Sequence, residues 1–138
     1  MSEALYHKAL VERARAAFGK GRLTDPTSSA TVDNPLCGDR VTLDLTVRDS
    51  RIVEIGHHVR GCLLCEAAAA TIAEHGRGAD RAALNAMSAA ARALMAEGKL
   101  DPHWQCLEIF RPVHSAKSRR DCVLLPFEAL KRAASAGL

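Results

Sequence analysis

Apolar residues recur at every second position between residues 40 and 60. The members of this pattern are Val41, Leu43, Leu45 and Val47, followed by Val53, Ile55 and Val59. A period of two is typical of strands with one buried face. Asp49 and Ser50 join the two runs, and a link this short cannot make a parallel crossover. The pattern therefore predicts an antiparallel hairpin, and a further short strand is expected near residues 30–32.

The segment that precedes the hairpin shows helical rather than strand spacing of its apolar residues. The apolar residues of segment 3–18 recur at helical intervals, which predicts a helix with Leu5 and Phe18 on its apolar face. Ser2 is a candidate N-cap of this helix and Gly19 a candidate stop.

Further helices are predicted after the hairpin. An alanine-rich helix covers residues 65–75, and a helix capped by Asp80 follows it. Segment 102–117 is expected to be irregular or briefly helical, and Ser118 with Asp121 resembles a capping box for the last helix. The sequence therefore predicts an α+β fold, in which a small antiparallel sheet of about three strands packs against four to five helices.

Composition and charge are compatible with one domain spanning residues 1–138. Hydrophobic residues make up 48% of the chain but aromatic residues only 4%, so alanine and aliphatic residues must build the core. The net charge is +3, and much of it lies between Arg111 and Arg120. This stretch is either a solvated basic loop or a docking patch for an acidic protein partner. Nucleic acid is not expected as a partner, because aromatic stacking residues are not interleaved with the basic ones.

Neither a secretory signal nor a membrane span is expected. The N-terminal segment is charged throughout, and no apolar run approaches the ~20 residues that a transmembrane helix needs. The expected location is the cytoplasm, where thiols stay reduced. The five cysteines are therefore expected to bind metal or to react, rather than to form a disulfide framework.

Several cysteines lie where predicted elements meet. Cys37 precedes the hairpin and Cys62 follows it, so antiparallel pairing brings these two residues close together. Cys62 and Cys65 open one predicted helix and Cys122 opens another, where N–H groups and the helix dipole favour a thiolate. We therefore expect lowered pKa values for all three. Asp39 is placed to add an oxygen ligand, and three thiolates with a carboxylate suit tetrahedral zinc or an iron site.

Simpler roles are compatible with the same residue types. A single cysteine is often a small buried hydrophobe, and this interpretation is favoured for Cys106. Cys65 points either at the ion or into the core, and Asp39 either binds metal or caps a turn. His57 falls on the buried face of its strand and His58 on the open face, and structural roles are favoured for both.

Three segments carry the cysteine motifs: NPLCGDRVTLDL, VRGCLLCEAAAA and RRDCVLLPFEAL. They resemble the U-type iron–sulfur cluster assembly proteins, the NifU N-terminal, IscU and SufU family. The resemblance implies a SufE/NifU-like fold, with Cys37, Asp39, Cys62 and Cys122 binding zinc, iron or a transient iron–sulfur cluster. It also implies a scaffold that passes clusters to apo iron–sulfur proteins, or an acceptor of persulfide sulfur from a PLP-dependent, SufS-like cysteine desulfurase.

The spacing of the last two motifs resembles the SufU branch of this family. A long segment separates Cys62 from Cys122, where an insertion occurs in that branch. Arg119 matches a basic position common in the branch, whereas Asp121 departs from the basic residue that usually precedes the last cysteine. In a sulfur relay Cys37 is the expected persulfide acceptor, because its loop is expected to be the most mobile of the three positions.

Two other functions use the same cysteines. The Cys62-x-x-Cys65 motif follows a strand and opens a helix, as a redox C-x-x-C does, so a thiol–disulfide oxidoreductase is an alternative. Its preceding strand belongs to a hairpin and not to a βαβ unit, which disfavours this alternative. A purely structural zinc-binding module is the other. We expect a non-enzymatic scaffold or sulfur acceptor rather than an enzyme.

Overall fold

The computed structural model describes residues 3–138, so the predicted N-cap Ser2 lies outside the described residues. In chain order the elements are α1 (Glu3–Ala16), β1 (Ser28–Asn34), β2 (Asp39–Arg48), β3 (Arg51–Arg60), α2 (Leu63–His75), α3 (Arg81–Glu97), the 3₁₀ segments Gln105–Ser115 and Lys117–Arg119, and α4 (Arg120–Gly137). The predicted α+β class, with a three-stranded antiparallel sheet and helices around it, is confirmed. Within residues 3–138, no helix has the length and apolar character that crossing a membrane requires.

The predicted hairpin is formed by β2 and β3, and β1 adds to the other side of β2. Asp49 and Ser50 make the turn with φ values of 54° and 61°. Two successive left-handed residues are typical of a type I′ turn, whose twist matches that of the flanking strands. Arg40 pairs with Arg60 at the far end of the hairpin. The segments that carry the first two cysteine motifs therefore meet at this end of the sheet.

A β-bulge interrupts the regular alternation of the hairpin. Thr46 pairs with Glu54, but the next residue, Val47, pairs with Ile52, so the register shifts around Val53. The bulge places Ile52 on the buried face of β3. Val53 was expected to face inward, but it is only partly buried. The bulge is the reason why this expectation is wrong.

Strand β2 is buried on both faces, whereas the alternation predicted one open face. Its apolar face packs against α4. On the opposite face the carboxylate of Asp44 is fully buried, and it accepts hydrogen bonds from Arg22 Nε at 2.6 Å and from the backbone N of Leu23 at 3.0 Å. The segment between α1 and β1 therefore covers this face, and the hydrogen bonds compensate the carboxylate for its lost hydration.

Helices α2 and α4 pack together over the apolar face of the sheet, and α1 packs against α2. Side chains as small as those of residues 67–70, all buried alanines, allow this close approach. The predicted apolar face of α1 is wrong at Leu5 and Phe18, which are 54% and 40% exposed. The buried face of α1 consists of Tyr6, Leu10 and Ala14.

Helix boundaries test the capping predictions. Asp80 caps α3 by accepting a hydrogen bond from the backbone N of Ala83 at 2.9 Å, and Gly98 ends this helix with φ 71°. Both features of α3 follow from its sequence. The capping box predicted from Ser118 and Asp121 is wrong, because α4 continues directly from a 3₁₀ turn and its N-cap side chain makes no capping bond.

Candidate metal centre

Four cysteines and one aspartate converge at the end of the sheet where the hairpin opens. The ligand atoms of Cys37, Asp39 and Cys122 lie within 4.8 Å of one another, and so do those of Asp39, Cys62 and Cys65. Asp39 belongs to both groups. Two thiolates on one tetrahedral zinc ion are about 3.8 Å apart, given Zn–S bonds of about 2.3 Å. Each group of three is therefore compact enough to hold such an ion after small side-chain movements.

A tight turn presents Cys37 to solvent. The backbone N of Gly38 donates to the carbonyl of Asn34 at 2.8 Å, and the backbone N of Leu36 donates to Asn34 Oδ1 at 3.1 Å. Gly38 has φ 76°, a left-handed conformation that glycine adopts without strain. Leu36 is 91% exposed beside Cys37. The turn therefore displays an apolar side chain next to an accessible thiol.

Asp39, the first residue of β2, is held between the two groups of ligands. Asp39 as a whole is only 8% exposed. A Cβ on Gly61 would lie 2.9 Å from Asp39 Cγ, so the missing side chain of Gly61 makes room for the carboxylate. Cys65 Sγ donates to Asp39 Oδ2 at 3.3 Å. The absence of a side chain at Gly61 therefore allows the Asp39 carboxylate to occupy its position in the site.

Cys62 is the N-cap residue of α2, with φ −81° and ψ 173°. Its side chain makes no capping hydrogen bond, but the adjacent thiol of Cys65, the backbone N–H groups of Cys65 and Leu64 and the thiol of Cys122 all favour its thiolate. These donors outweigh partial burial and lower the pKa of Cys62 to about 5. The prediction of a lowered pKa at this helix start is confirmed for Cys62.

For Cys65 and Cys122 the predicted lowering is wrong. The hydrogen bond to Cys62, followed by burial and by the charge on Cys62, raises the pKa of the Cys65 thiol. Burial, followed by the same charge, raises the pKa of Cys122 to about 12. Close thiols compete for one negative charge, so a single thiolate forms in the metal-free site and its neighbours stay protonated.

Pro126 connects the two cysteine-bearing helices in an unexpected way. In a regular helix the N–H of residue 126 donates to the carbonyl of Cys122, but proline has no N–H. The carbonyl of Cys122 instead lies 3.0 Å from Cys65 Sγ, whose single S–H is shared between this carbonyl and Asp39 Oδ2. The start of α2 is thereby tied to the start of α4. The sequence contained the signal, a proline four residues after Cys122, but its partner is visible only in the folded chain.

A groove leads from the surface to two of the site thiols. It has a volume of about 440 Å³ and lies between α1, the start of α2 and the segment before α4. Apolar residues line much of it, among them Tyr6, Leu64 and Val113, and Cys62 and Cys122 also line it. Sequence reasoning missed this groove, because its walls come from distant parts of the chain.

The remaining candidate residues lie elsewhere or have structural roles. Cys106 packs partly buried against the core and is outside both ligand groups. His57 is buried, with Nε2 at 2.8 Å from the carbonyl of Phe18, and burial lowers its pKa. His58 is exposed, as its strand position predicted. Asp121 is also exposed.

Some residues of the basic stretch between Arg111 and Arg120 make ion pairs or hydrogen bonds within the fold. Arg111 pairs with Glu108 at 3.2 Å, and Arg120 Nε donates to the carbonyl of His114 at 2.6 Å. Lys117 and Arg119 are exposed on the surface, and Arg119 also lines the groove.

Comparison with known proteins identifies the family. The NifU-like N-terminal domain family matches residues 5–136. The chain belongs to this family. A crystal structure of a nitrogen-fixing NifU-like protein (N-terminal) from Brucella abortus shares 30% identity and a TM-score of 0.88 with this NifU-like domain, covering 95% of this chain and 92% of the other.

Other relatives agree with this membership. Two iron–sulfur cluster assembly scaffold proteins of Archaeoglobus fulgidus, IscU 1 and IscU 2, are each 34% identical over 58 residues. These matches span 42% of this chain and only 38% of the length of each curated relative. A crystal structure described as a SUF-system cluster assembly scaffold of Fervidobacterium islandicum shares the fold, with a TM-score of 0.87, 21% identity, and coverage of 97% of this chain and 99% of that one. The resemblance to the U-type family is therefore confirmed.

Proposed function

We propose that this NifU-like domain acts in iron–sulfur cluster assembly and binds zinc, iron or a nascent cluster through Cys37, Asp39, Cys62 and Cys122. The observation that carries the proposal is the convergence of these donors around Asp39. Three soft sulfur ligands and one oxygen suit zinc and iron and do not suit magnesium or calcium. Bound zinc would keep its thiolate ligands deprotonated until a partner displaces it.

We propose that Cys65 lies next to the metal ligands but is not itself a ligand. Its thiol faces two oxygens, the carbonyl of Cys122 and the carboxylate of Asp39. A thiol that donates to oxygen is stabilised there, whereas a metal-bound thiolate would face the same carbonyl oxygen without a proton between them.

In the sulfur relay that we propose, Cys37 accepts persulfide sulfur from a SufS-like, PLP-dependent cysteine desulfurase. Support comes from the exposed turn, which presents Cys37 together with the apolar side chain of Leu36. Cys62 is the second exposed thiol of the site. A cluster built on the site would then pass to apo iron–sulfur proteins.

Metal analysis tests the ligand set. We expect purified protein to hold one zinc or iron per chain, Cys122→Ser to lose it, and Cys106→Ser to retain it as the matched control. Full metal retention in Cys122→Ser contradicts the ligand set. If the site is only a structural zinc module, Cys37→Ala unfolds the protein, whereas our proposal expects a folded but inactive variant.

Persulfide mapping tests the relay. The protein is mixed with a cognate desulfurase and cysteine, alkylated, and analysed by mass spectrometry. Label is expected on Cys37, with Cys62 as its nearest competitor, and label confined to Cys106 contradicts the relay. Anaerobic reconstitution with iron and sulfide separates the two modes, because a scaffold gives a coloured, transferable cluster.

A second candidate function is thiol–disulfide exchange by the Cys62-x-x-Cys65 pair. The pair has the asymmetry of such motifs, an exposed first cysteine and a buried second one. The sheet of the described chain is antiparallel throughout and differs from the βαβ setting of those enzymes. Insulin reduction at rates comparable to a thioredoxin would favour this second function.

A further inference from the structure

Cys65 is a thiol of the site that the proposed ligand set leaves unused. It is fully buried, and its sulfur lies within 4.8 Å of Cys62 Sγ. Cys62 by contrast is exposed and lines the groove. The two residues are three positions apart at the start of α2, a spacing that allows a disulfide at a helix N-terminus.

We propose that Cys65 is a resolving thiol, which attacks a persulfide carried on Cys62 and releases the outer sulfur as sulfide. The inference rests on the proposed function for the supply of persulfide sulfur: the Cys62 thiolate attacks the outer sulfur of a Cys37 persulfide, takes that sulfur and leaves Cys37 as a thiolate. It assigns to the domain an activity of its own, the reductive release of sulfide at the site where a cluster is built.

The step balances in atoms and electrons. Cys65 sulfur attacks the inner sulfur of the Cys62 persulfide, the bond between the two persulfide sulfurs breaks, and hydrosulfide leaves. The two cysteine sulfurs are oxidised to a disulfide, and the sulfane sulfur gains the two electrons. The proton of Cys65, which its thiol shares between the Cys122 carbonyl and Asp39 Oδ2, leaves with the departing sulfide. A dithiol reductant must afterwards reduce the disulfide to reset the site.

Geometry favours Cys65 over Cys122 as the attacking thiol. Cys65 shares a helix end with Cys62, so the backbone fixes their separation. The thiol of Cys122 also lies beside Cys62, but it is carried by α4, so no shared helix end fixes that separation. The resulting disulfide would also withdraw Cys62 from the metal ligands, so sulfide release and metal binding alternate on one site.

Time-resolved mass spectrometry tests the proposal on metal-free protein. Inorganic polysulfide loads the sulfur and bypasses the desulfurase, and excess is removed by gel filtration. In the wild-type chain we expect a Cys62 persulfide that decays to a Cys62–Cys65 disulfide, with one sulfide released per disulfide formed. In Cys65→Ser the persulfide should persist at least about tenfold longer and yield sulfide only when dithiothreitol is added.

Controls separate the possible failures. Cys106→Ser should behave as wild type, and Cys65→Ala with circular dichroism shows whether loss of the thiol disturbs folding. Equal persulfide lifetimes in wild type and both folded Cys65 variants, a Cys62–Cys122 disulfide, or a disulfide with no preceding persulfide would each overturn the inference. A failure to receive sulfur from the desulfurase, with normal decay after polysulfide loading, contradicts only the proposed relay.

Discussion

At the scale of single residues, the site is organised around one carboxylate and one thiolate. Asp39 touches both groups of ligands, and Cys62 takes the negative charge that its neighbours give up. The role of Gly61 is steric, because a side chain there would collide with Asp39. Each of these assignments is open to a direct measurement.

The pH dependence of alkylation tests the thiolate at Cys62. Because hydrogen bonds lower its pKa to about 5, the thiolate is already formed at neutral pH. In metal-free protein, the rate of Cys62 modification by iodoacetamide should stay level from pH 8 to about pH 6 and fall as pH drops through about 5. Peptide-resolved mass spectrometry measures this rate. A midpoint near that of an ordinary cysteine, about 8.5, contradicts the assignment.

Substitution of Gly61 by alanine tests the steric role. The added Cβ would lie 2.9 Å from Asp39 Cγ and should push the carboxylate out of the site. We expect Gly61→Ala to weaken zinc binding about tenfold, as measured by competition with a chelating dye. In an Asp39→Asn background the same substitution should have little further effect. Equal losses in both backgrounds would show that Gly61 acts independently of Asp39.

At the scale of elements, the starts of α2 and α4 are joined by a hydrogen bond from Cys65 to the Cys122 carbonyl. The bond exists because α4 carries a proline one helical turn later, which leaves that carbonyl without its usual helical donor. A residue that weakens a helix by itself therefore creates a contact between two helices.

Pro126→Ala tests this contact. Alanine restores a backbone N–H to the helix, and α4 should gain one hydrogen bond, worth about 1 kcal/mol. The thiol of Cys65 then shares its acceptor, so its infrared S–H stretching band should move towards that of a free thiol. Pro112→Ala, in the 3₁₀ segment before α4, is the matched control and should leave the band in place. An unchanged band in Pro126→Ala would show that Pro126 does not control the hydrogen bond between Cys65 and the Cys122 carbonyl.

At the scale of the whole molecule, the sheet is covered on both faces, and the cover on one face depends on the buried carboxylate of Asp44. Burial opposes its charge, but hydrogen bonds from Arg22, Ser29 and the backbone of Leu23 prevail and lower its pKa. A lowered carboxylate pKa contributes stability that is present above about pH 4 and is lost as pH falls through the folded pKa.

Arg22→Met tests this arrangement through the pH dependence of unfolding. Without the guanidinium, burial dominates and the pKa of Asp44 rises, so the variant should be less stable than wild type at neutral pH. The difference should shrink in acid, where Asp44 is protonated in both proteins. Urea unfolding at several pH values measures this difference in the free energy of unfolding. Arg40→Met is the control, since its ion pair with Asp33 is about half exposed and should contribute little.

The sequence by itself predicted most of the elements and the candidate residues of the site. Local patterns were sufficient, because the turn at Asp49 and Ser50, the cap at Asp80 and the period of two in β2 depend on neighbours along the chain. The hairpin also brought the segments of Cys37 and Cys62 to one end of the sheet, and the family resemblance supplied their expected purpose.

Only the tertiary structure decided how those residues share charge and space. The pKa values of Cys65 and Cys122 moved opposite to the helix-dipole expectation, because thiols within hydrogen-bond reach compete for one charge. The room that Gly61 leaves for Asp39 is also a property of residues far apart in sequence. The candidate metal site predicted from the cysteine pattern therefore has features that local patterns do not contain: one thiolate, a shared carboxylate and a buried thiol beside them.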